Sequence, residues 1–180
     1  TLLFVQALDG GDQAKKVEYR DEVFTWKAPF NEAPKSFAKT KQRFSGVSFS
    51  NTDLALVYDR WYDTRNMKTY LVDTKKGASK EINDRNYQDV YADPGDFNTV
   101  KNQYGRDVID IQNGKGILVG EGHTKDGQFP FIEEFDFNTL GKKRLYTSKL
   151  KDRKEDFVEI LDPKKGDLLV TQQSASDYPN

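Results

Sequence analysis

Apolar residues along this chain recur in short runs with period two, and clusters of Gly, Asp, Asn and Ser break the runs at short intervals. No window of helical length carries apolar residues at three and four spacing between caps, so the pattern predicts an all-β fold. Leu2 to Ala7 reads as a first strand and Asp9-Gly10-Gly11-Asp12 as a turn. Glu22 to Ala28 then alternates, with Val23, Thr25 and Lys27 on one face and Phe24, Trp26 and Ala28 on the other. Ser36 to Lys39 follows as a short outer strand.

The next stretch is the most regular: Phe44 to Phe49, a turn at Ser50-Asn51-Thr52-Asp53, Leu54 to Trp61, a loop at Tyr62 to Asn66, Met67 to Asp73, and Ser79 to Asn83. Four short antiparallel strands in about 40 residues match the plan of one β-propeller blade. The plan returns with Val108 to Ile111, Gly116 to Glu121, a loop at Gly122 to Gln128, Phe131 to Phe137 and Arg144 to Thr147. Ala55-Leu56-Val57-Tyr58 answers Ile117-Leu118-Val119-Gly120, and Val72-Asp73-Thr74 answers Phe137-Asn138-Thr139. A further beginning is Phe157 to Leu161, a turn at Pro163-Lys164-Lys165-Gly166, and Leu168 to Thr171.

The expected architecture is therefore a partial β-propeller of about three blades of four-stranded antiparallel sheet. Residues 1–40 form a partial blade, 41–84 a blade, 85–107 a long loop, 108–148 a blade and 156–180 a partial blade. The alternative is a β-sandwich of about thirteen strands with Greek-key crossings. Propellers close with roughly four to eight blades, so this arc is expected to leave open sheet edges through which copies could associate. Thr1, inside a strand, and Asp177-Tyr178-Pro179-Asn180 both read as interior points of a longer chain.

Composition narrows the function classes. With 28 Lys and Arg against 29 Asp and Glu, a net charge of -1 supplies no field to gather nucleic acid. Apolar content is only 36%, but 12 Phe, 9 Tyr and 2 Trp supply burial suited to aromatic-rich strands. The absence of Cys excludes a disulfide framework, a thiolate nucleophile and Cys-based metal sites. No run approaches the roughly 18 apolar residues of a helical membrane span.

Candidate chemistry is sparse. His123 is the single His, and a general base would need a positioned nucleophile and an orienting carboxylate, so a solvated loop His is expected. Asp84, Asp89, Asp93 and Asp96 could offer oxygens to calcium, but the EF-hand spacing is absent and turn roles are expected. No metal and no cofactor is anticipated. From Arg85 to Asp107 no clear strand is visible, and a connection of that length points to binding or docking.

Arg60, Arg65 and Arg85 lie at strand ends around this loop, with Trp61, Tyr62 and Tyr87 beside them. A guanidinium fork holds a carboxylate at two points, so Arg60, Arg65, Arg85, Trp61 and Tyr62 are the substrate-contact candidates, Arg65 or Arg85 serving an acidic side chain. Alternatively an Arg pairs with Asp59, Asp63 or Asp84 and merely orders the loop. Trp26 and Trp61 are expected to fill core between sheets. No Gly-x-Ser-x-Gly elbow occurs, so no catalytic residue is assigned.

The segment Asp59-Arg60-Trp61-Tyr62-Asp63-Thr64-Arg65, followed by Lys68-Thr69-Tyr70-Leu71-Val72-Asp73, resembles the prolyl oligopeptidase family of serine peptidases, in its glutamyl endopeptidase and dipeptidyl aminopeptidase-like subgroup. Further stretches agree in the same order: Leu8-Asp9-Gly10-Gly11-Asp12 with Arg20-Asp21 and Ala28-Pro29-Phe30; Asp84-Arg85-Asn86-Tyr87 with Asp93-Pro94-Gly95; and Gly120-Glu121-Gly122 with Pro130-Phe131. The resemblance implies an N-terminal propeller stacked on a C-terminal α/β-hydrolase domain that holds the Ser, Asp and His. On that reading this chain is non-catalytic, gates and positions peptide substrates, and has the peptide and the missing catalytic domain as partners, without nucleic acid or a membrane span. An exported, periplasmic bacterial setting goes with the resemblance; the sequence itself leaves the compartment open. The alternative is a stand-alone propeller-like module that binds a protein or glycan.

Overall fold

The structure is a computed structural model that describes residues 1–162 and 165–178. Pro163 and Lys164 of the expected turn, and Pro179 and Asn180 of the ending, lie outside the described residues. Thr1–Gln88 with Lys101–Val108 form one compact unit, and the rest of the described chain forms a second.

The first unit holds two antiparallel sheets. β1 (Leu2–Ala7), β2 (Asp21–Trp26) and β3 (Lys35–Thr40) lie in sequence order in one. The other is β4 (Arg43–Phe49), β5 (Leu54–Trp61), β6 (Asn66–Asp73) and β7 (Ser79–Asn86), again in sequence order. These are the strands that alternation and turn residues predict, with most ends unchanged or extended by a residue or a few; β2 instead begins one residue earlier and stops at Trp26, short of the expected Ala28. Ala55, Val57 and Asp59 share one face of β5, opposite Val72, Tyr70 and Lys68 of β6. That face packs on the other sheet: Ala55, Val57, Tyr70 and Val72 form one buried cluster with Val23, Phe37 and Ala38. Leu56 on the opposite face of β5 is equally buried, so this central strand reads as a nearly continuous apolar run.

The second unit holds β8 (Asp96–Phe97), β11 (Lys115–Gly120), β14 (Phe131–Asp136) and β15 (Lys142–Thr147) in one antiparallel sheet of order β15-β14-β11-β8. Two three-residue strands, β9 (Thr99–Lys101) and β10 (Asp107–Ile109), precede β11. β12 (His123–Thr124) and β13 (Gly127–Gln128) make a short hairpin, and β16 (Lys154–Asp162) pairs with β17 (Asp167–Gln173). An all-β fold of antiparallel sheets, two of them four-stranded and up-and-down, is thus the observed architecture, and no α-helix occurs among the described residues.

Two details depart from expectation. The stretch after Arg85 is not strandless: it carries a 3-10 turn at Val90–Ala92, then β8 and β9. The fourth strand of the second four-stranded sheet is β8 from this connection, not the expected Val108 to Ile111. Phe97 decides it, because its ring completes a cluster with Phe135 (5.5 Å) and Phe137 (5.1 Å), which lie 4.9 Å from each other. Gly95, at φ 82°, admits the approach: a Cβ there would lie 2.3 Å from the Val119 carbonyl oxygen.

The turns reveal a repeat that strand matching misaligned. Asp73 accepts at Oδ1 from Lys75 N (3.0 Å) and Lys76 N (2.9 Å), while its carbonyl accepts from Gly77 N (2.8 Å). Asp136 does the same with Asn138 N (2.8 Å), Thr139 N (3.1 Å) and Leu140 N (2.7 Å). Asp73 therefore corresponds to Asp136 rather than Asn138. These amides hold both carboxyls below the usual carboxylate range, although partial burial opposes them. In each turn the residue closing the ring has positive φ, Gly77 at 69° and Leu140 at 62°.

Candidate functional site

The end of β5 and the turn that follows it frame a cleft of about 300 Å³ in the first unit. Arg60 and Trp61 are the last residues of β5, Tyr62 and Asp63 begin the turn into β6, and Tyr87 follows β7; Gln13 and Arg43 complete the lining. The turn is tight because Arg65 adopts φ 57° and its N–H donates to the Tyr62 carbonyl (3.2 Å). Tyr87 N–H in turn donates to the Arg65 carbonyl (2.8 Å), which brings Tyr87 to the cleft.

The five sequence candidates separate here. Arg60, Trp61 and Tyr62 line the cleft together. Arg65 does not: its guanidinium lies 3.7 Å above the Tyr62 ring and donates to the Tyr62 carbonyl, so it braces the turn. Arg85 sits on β7 opposite Met67, half-buried and away from the lining. Arg60 is exposed, with its guanidinium 5.4 Å from the Tyr87 ring centroid, and no carboxylate lies within ion-pair distance of it among the described residues. Of the acids proposed as partners, Asp59 instead accepts from Gln42 N (3.0 Å), Lys68 N (3.2 Å) and Tyr70 OH (2.9 Å). Asp84 takes Asn66 Nδ2 (2.6 Å) and Lys68. Burial pushes the Asp59 carboxyl up against these donors, and burial with the adjacent Asp59 pushes the Tyr70 hydroxyl up as well.

Beneath the cleft lies a network that residue patterning alone did not assign to it. Asp9 is buried at 2% exposure, and its Oδ2 accepts from Arg20 Nη1 (2.8 Å) and Arg43 Nη2 (2.6 Å) while Oδ1 accepts from Gly11 N (2.9 Å). Burial raises the Asp9 pKa, but the hydrogen bonds from Arg43, Gly11 and Arg20 outweigh it and hold the carboxyl at about 2. Arg43 Nη1 reaches Asp21 Oδ1 (2.7 Å), and Asp21 Oδ2 accepts from Phe44 N (2.7 Å). The signal in sequence was Asp9 ahead of two glycines, an Asx turn, together with the Arg20-Asp21 pair. Trp26, by contrast, stacks edge-on with Phe30 (5.1 Å) and donates to the Glu32 carbonyl (2.6 Å).

Elsewhere the chemistry is that of turns. His123 Nε2 lies 2.7 Å from Glu121 Oε2, and the Thr124 hydroxyl beside it donates to the Gly127 carbonyl (2.9 Å). Asp89 accepts from Tyr91 N (3.0 Å) and Asp93 from Gly95 N (2.9 Å). Among the described residues no three His, Asp or Glu groups converge as a metal site, and no helix is long and apolar enough to cross a membrane. A cleft of about 510 Å³ in the second unit has mixed charge, Asp126 and Asp152 against Lys151, Arg153 and Lys154, with Arg153 paired to Asp177 (3.3 Å).

Fold and cleft together define an all-β segment with an arginine- and aromatic-lined cleft. Its sequence relatives carry a peptidase name. The chain is 35% identical over 172 residues, 91% of its length, to a protein of Oryza sativa subsp. japonica named probable glutamyl endopeptidase, chloroplastic. It is 34% identical over 181 residues, 94% of its length, to a protein of Arabidopsis thaliana with the same name. The chain spans 18% and 19% of the lengths of these two relatives. It is a distant homologue of one segment of these peptidase-named proteins. No family model matches it. Among solved structures, TolB from Acinetobacter baumannii aligns with 88% of this chain and 36% of its own at 11% identity and a TM-score of 0.38. An uncharacterized Listeria monocytogenes EGD-e protein aligns with 91% of this chain and 50% of its own at 13% identity and a TM-score of 0.41. Likenesses this low say nothing of function, and the architecture rests on the sheets themselves.

Proposed function

We propose that this chain is the non-catalytic propeller segment of a serine peptidase of the prolyl oligopeptidase family, gating and positioning peptide substrates for a separate α/β-hydrolase domain. The observation that carries this reading is the similarity of nearly the whole chain to one segment of two glutamyl endopeptidase-named proteins. Acyl transfer would then occur elsewhere, on a Ser activated by His and Asp. This chain's part is to orient the substrate, and Arg60 is the group suited to it. Its guanidinium is exposed, carries no carboxylate partner among the described residues and stands among Trp61, Tyr62 and Tyr87.

Arg60→Ala in the parent enzyme tests the assignment. The expected outcome is about a tenfold loss of kcat/KM for a substrate with Glu beside the scissile bond and little change for its Ala counterpart. Equal change for both substrates would remove Arg60 from substrate selection.

A further inference from the structure

We infer that Asp9 is the positioning residue of the Arg60 cleft, acting through Arg20 and Arg43 to fix three of its walls. The three walls are Arg43, Trp61 and Gln13, and each is tied to the Asp9 carboxylate by contacts already formed in the structure. Arg43 is held directly, at 2.6 Å from Oδ2. Trp61 is held through Arg20, whose guanidinium lies 4.1 Å from the centroid of the Trp61 ring while Nη1 is bound to the same Asp9 oxygen. Gln13 is held through the second nitrogen of that guanidinium, which donates to its carbonyl (3.2 Å).

The geometry has a reason. A planar guanidinium can stack on an indole and still donate in its own plane, so one Arg serves a ring and two oxygens at once. Asp9 itself is buried and fixed by the Gly11 amide, so it cannot follow Arg20 or Arg43 toward solvent. Because Asp9 and Asp21 engage Arg43, and Asp9 and the Gln13 carbonyl engage Arg20, Arg60 is, among the described residues, the cleft cation with no carboxylate partner. The network thus both shapes the aromatic wall and leaves the Arg60 guanidinium for an incoming carboxylate. The ligand half of this inference rests on the substrate-facing reading of the cleft; the clamp on Trp61 does not.

The two Trp residues make the test optical. In a Trp26→Phe background, emission and acrylamide quenching report Trp61 alone; in a Trp61→Phe background they report Trp26. Asp9→Asn and, should that variant not fold, Arg20→Ala are each expected to raise the quenching constant of Trp61 about twofold and leave that of Trp26 unchanged. Glutarate, titrated as a dicarboxylate probe against Trp61 emission, is expected to bind about fivefold more weakly in the same variants, with Arg20→Lys as weak as Arg20→Ala because an ammonium cannot stack and fork. Unchanged Trp61 quenching in the variants that fold, or an equal rise for Trp26, overturns the positioning role. If quenching responds as expected but glutarate does not bind the unaltered protein, the clamp stands and the carboxylate reading of the cleft fails. If Arg60→Ala abolishes glutarate binding while Arg20→Ala changes nothing, the cleft reading stands and the clamp is wrong.

Discussion

In the sheet β4-β5-β6-β7 the buried row on the central strand runs Ala55, Val57 and then Asp59, a carboxylate fully out of contact with solvent. In the sheet β15-β14-β11-β8 the interior is filled by rings, with Phe97, Phe135 and Phe137 mutually packed at 4.9 to 5.5 Å. Both sheets have four antiparallel strands, yet they are held by different means. The first joins the β4 approach, β5 and β6 by pointing Gln42 N, Lys68 N and Tyr70 OH at one carboxylate. The second recruits a two-residue strand from a distant connection by offering its Phe a place between two others. A polar staple demands particular partners, because any donor left unpaired inside is costly. An aromatic cluster demands volume and shape, and tolerates strands of almost any origin.

Replacing the filler should give the largest effect. Phe135→Ala removes the ring that touches both Phe97 and Phe137, and is expected to lower stability by about 4 kcal/mol in urea unfolding. A cost below about 1 kcal/mol would show that the cluster does not hold β8. Removing the staple comes next: Asp59→Ala strands three donors and is expected to cost about 3 kcal/mol. With Tyr70→Phe added, one orphaned hydroxyl disappears, so the double variant should be less destabilised than the sum of the singles. Simple additivity would mean that the two side chains are not coupled.

The shared turn sharpens the comparison at smaller scale. β6 and β7 are joined through Gly77 at positive φ, whereas β14 and β15 use Leu140 in the same conformation. Leu140→Gly is expected to stabilise the chain by roughly 1 kcal/mol, read as a rise in thermal midpoint, since the left-handed region disfavours a side chain with a Cβ. A loss instead would show that packing of the half-buried Leu140 outweighs its backbone strain.

Acid titration gives the finest distinction, between carboxylates fed by cations and the one fed mainly by neutral donors. Folded Asp9 titrates at about 2 and the unfolded group near its ordinary 3.8. The unfolded chain therefore binds more protons between these values, and stability present above about pH 4 is lost as pH falls through that window. Asp9→Asn should flatten this part of the stability profile. Asp59 has the opposite sign: its raised folded pKa favours the protonated native state, so its contribution is fully present at low pH and is lost as pH rises through the folded value. Asp59→Asn should leave the acid slope from Asp9 intact; a profile unchanged by Asp9→Asn would contradict the network at the cleft.

The contrast also explains what could be read in advance. The strands β4 to β7 were legible because each alternates and each is bounded by turn residues. β8 was not, since two residues have no period, and the apolar Val108 to Ile111 looked the better strand. At the cleft, Arg60, Trp61 and Tyr62 were accessible to sequence reading because they are contiguous at a strand end. Arg65 and Arg85 were grouped with them by proximity along the chain, but a left-handed turn folds Arg65 onto Tyr62, and strand register places Arg85 opposite Met67. Arg43 joins because the register of β4 on β5 sets it opposite Arg60, a pairing the sequence reading did not work out, and Gln13 joins from the β1–β2 connection through its carbonyl on Arg20. Asp9, Arg20 and Asp21 were noticed as a resemblance, and their physical role emerges only when the two guanidiniums are seen on one carboxylate.

The most direct test of the proposed peptidase role is labelling by a serine-reactive fluorophosphonate, carried out in parallel on this chain and on the longest natural polypeptide that contains it. Labelling of the longer polypeptide alone is the predicted result, with the nucleophile outside the segment described by these sheets. Labelling of this chain by itself would contradict the account, since it would place an active serine among residues assigned only to support and positioning.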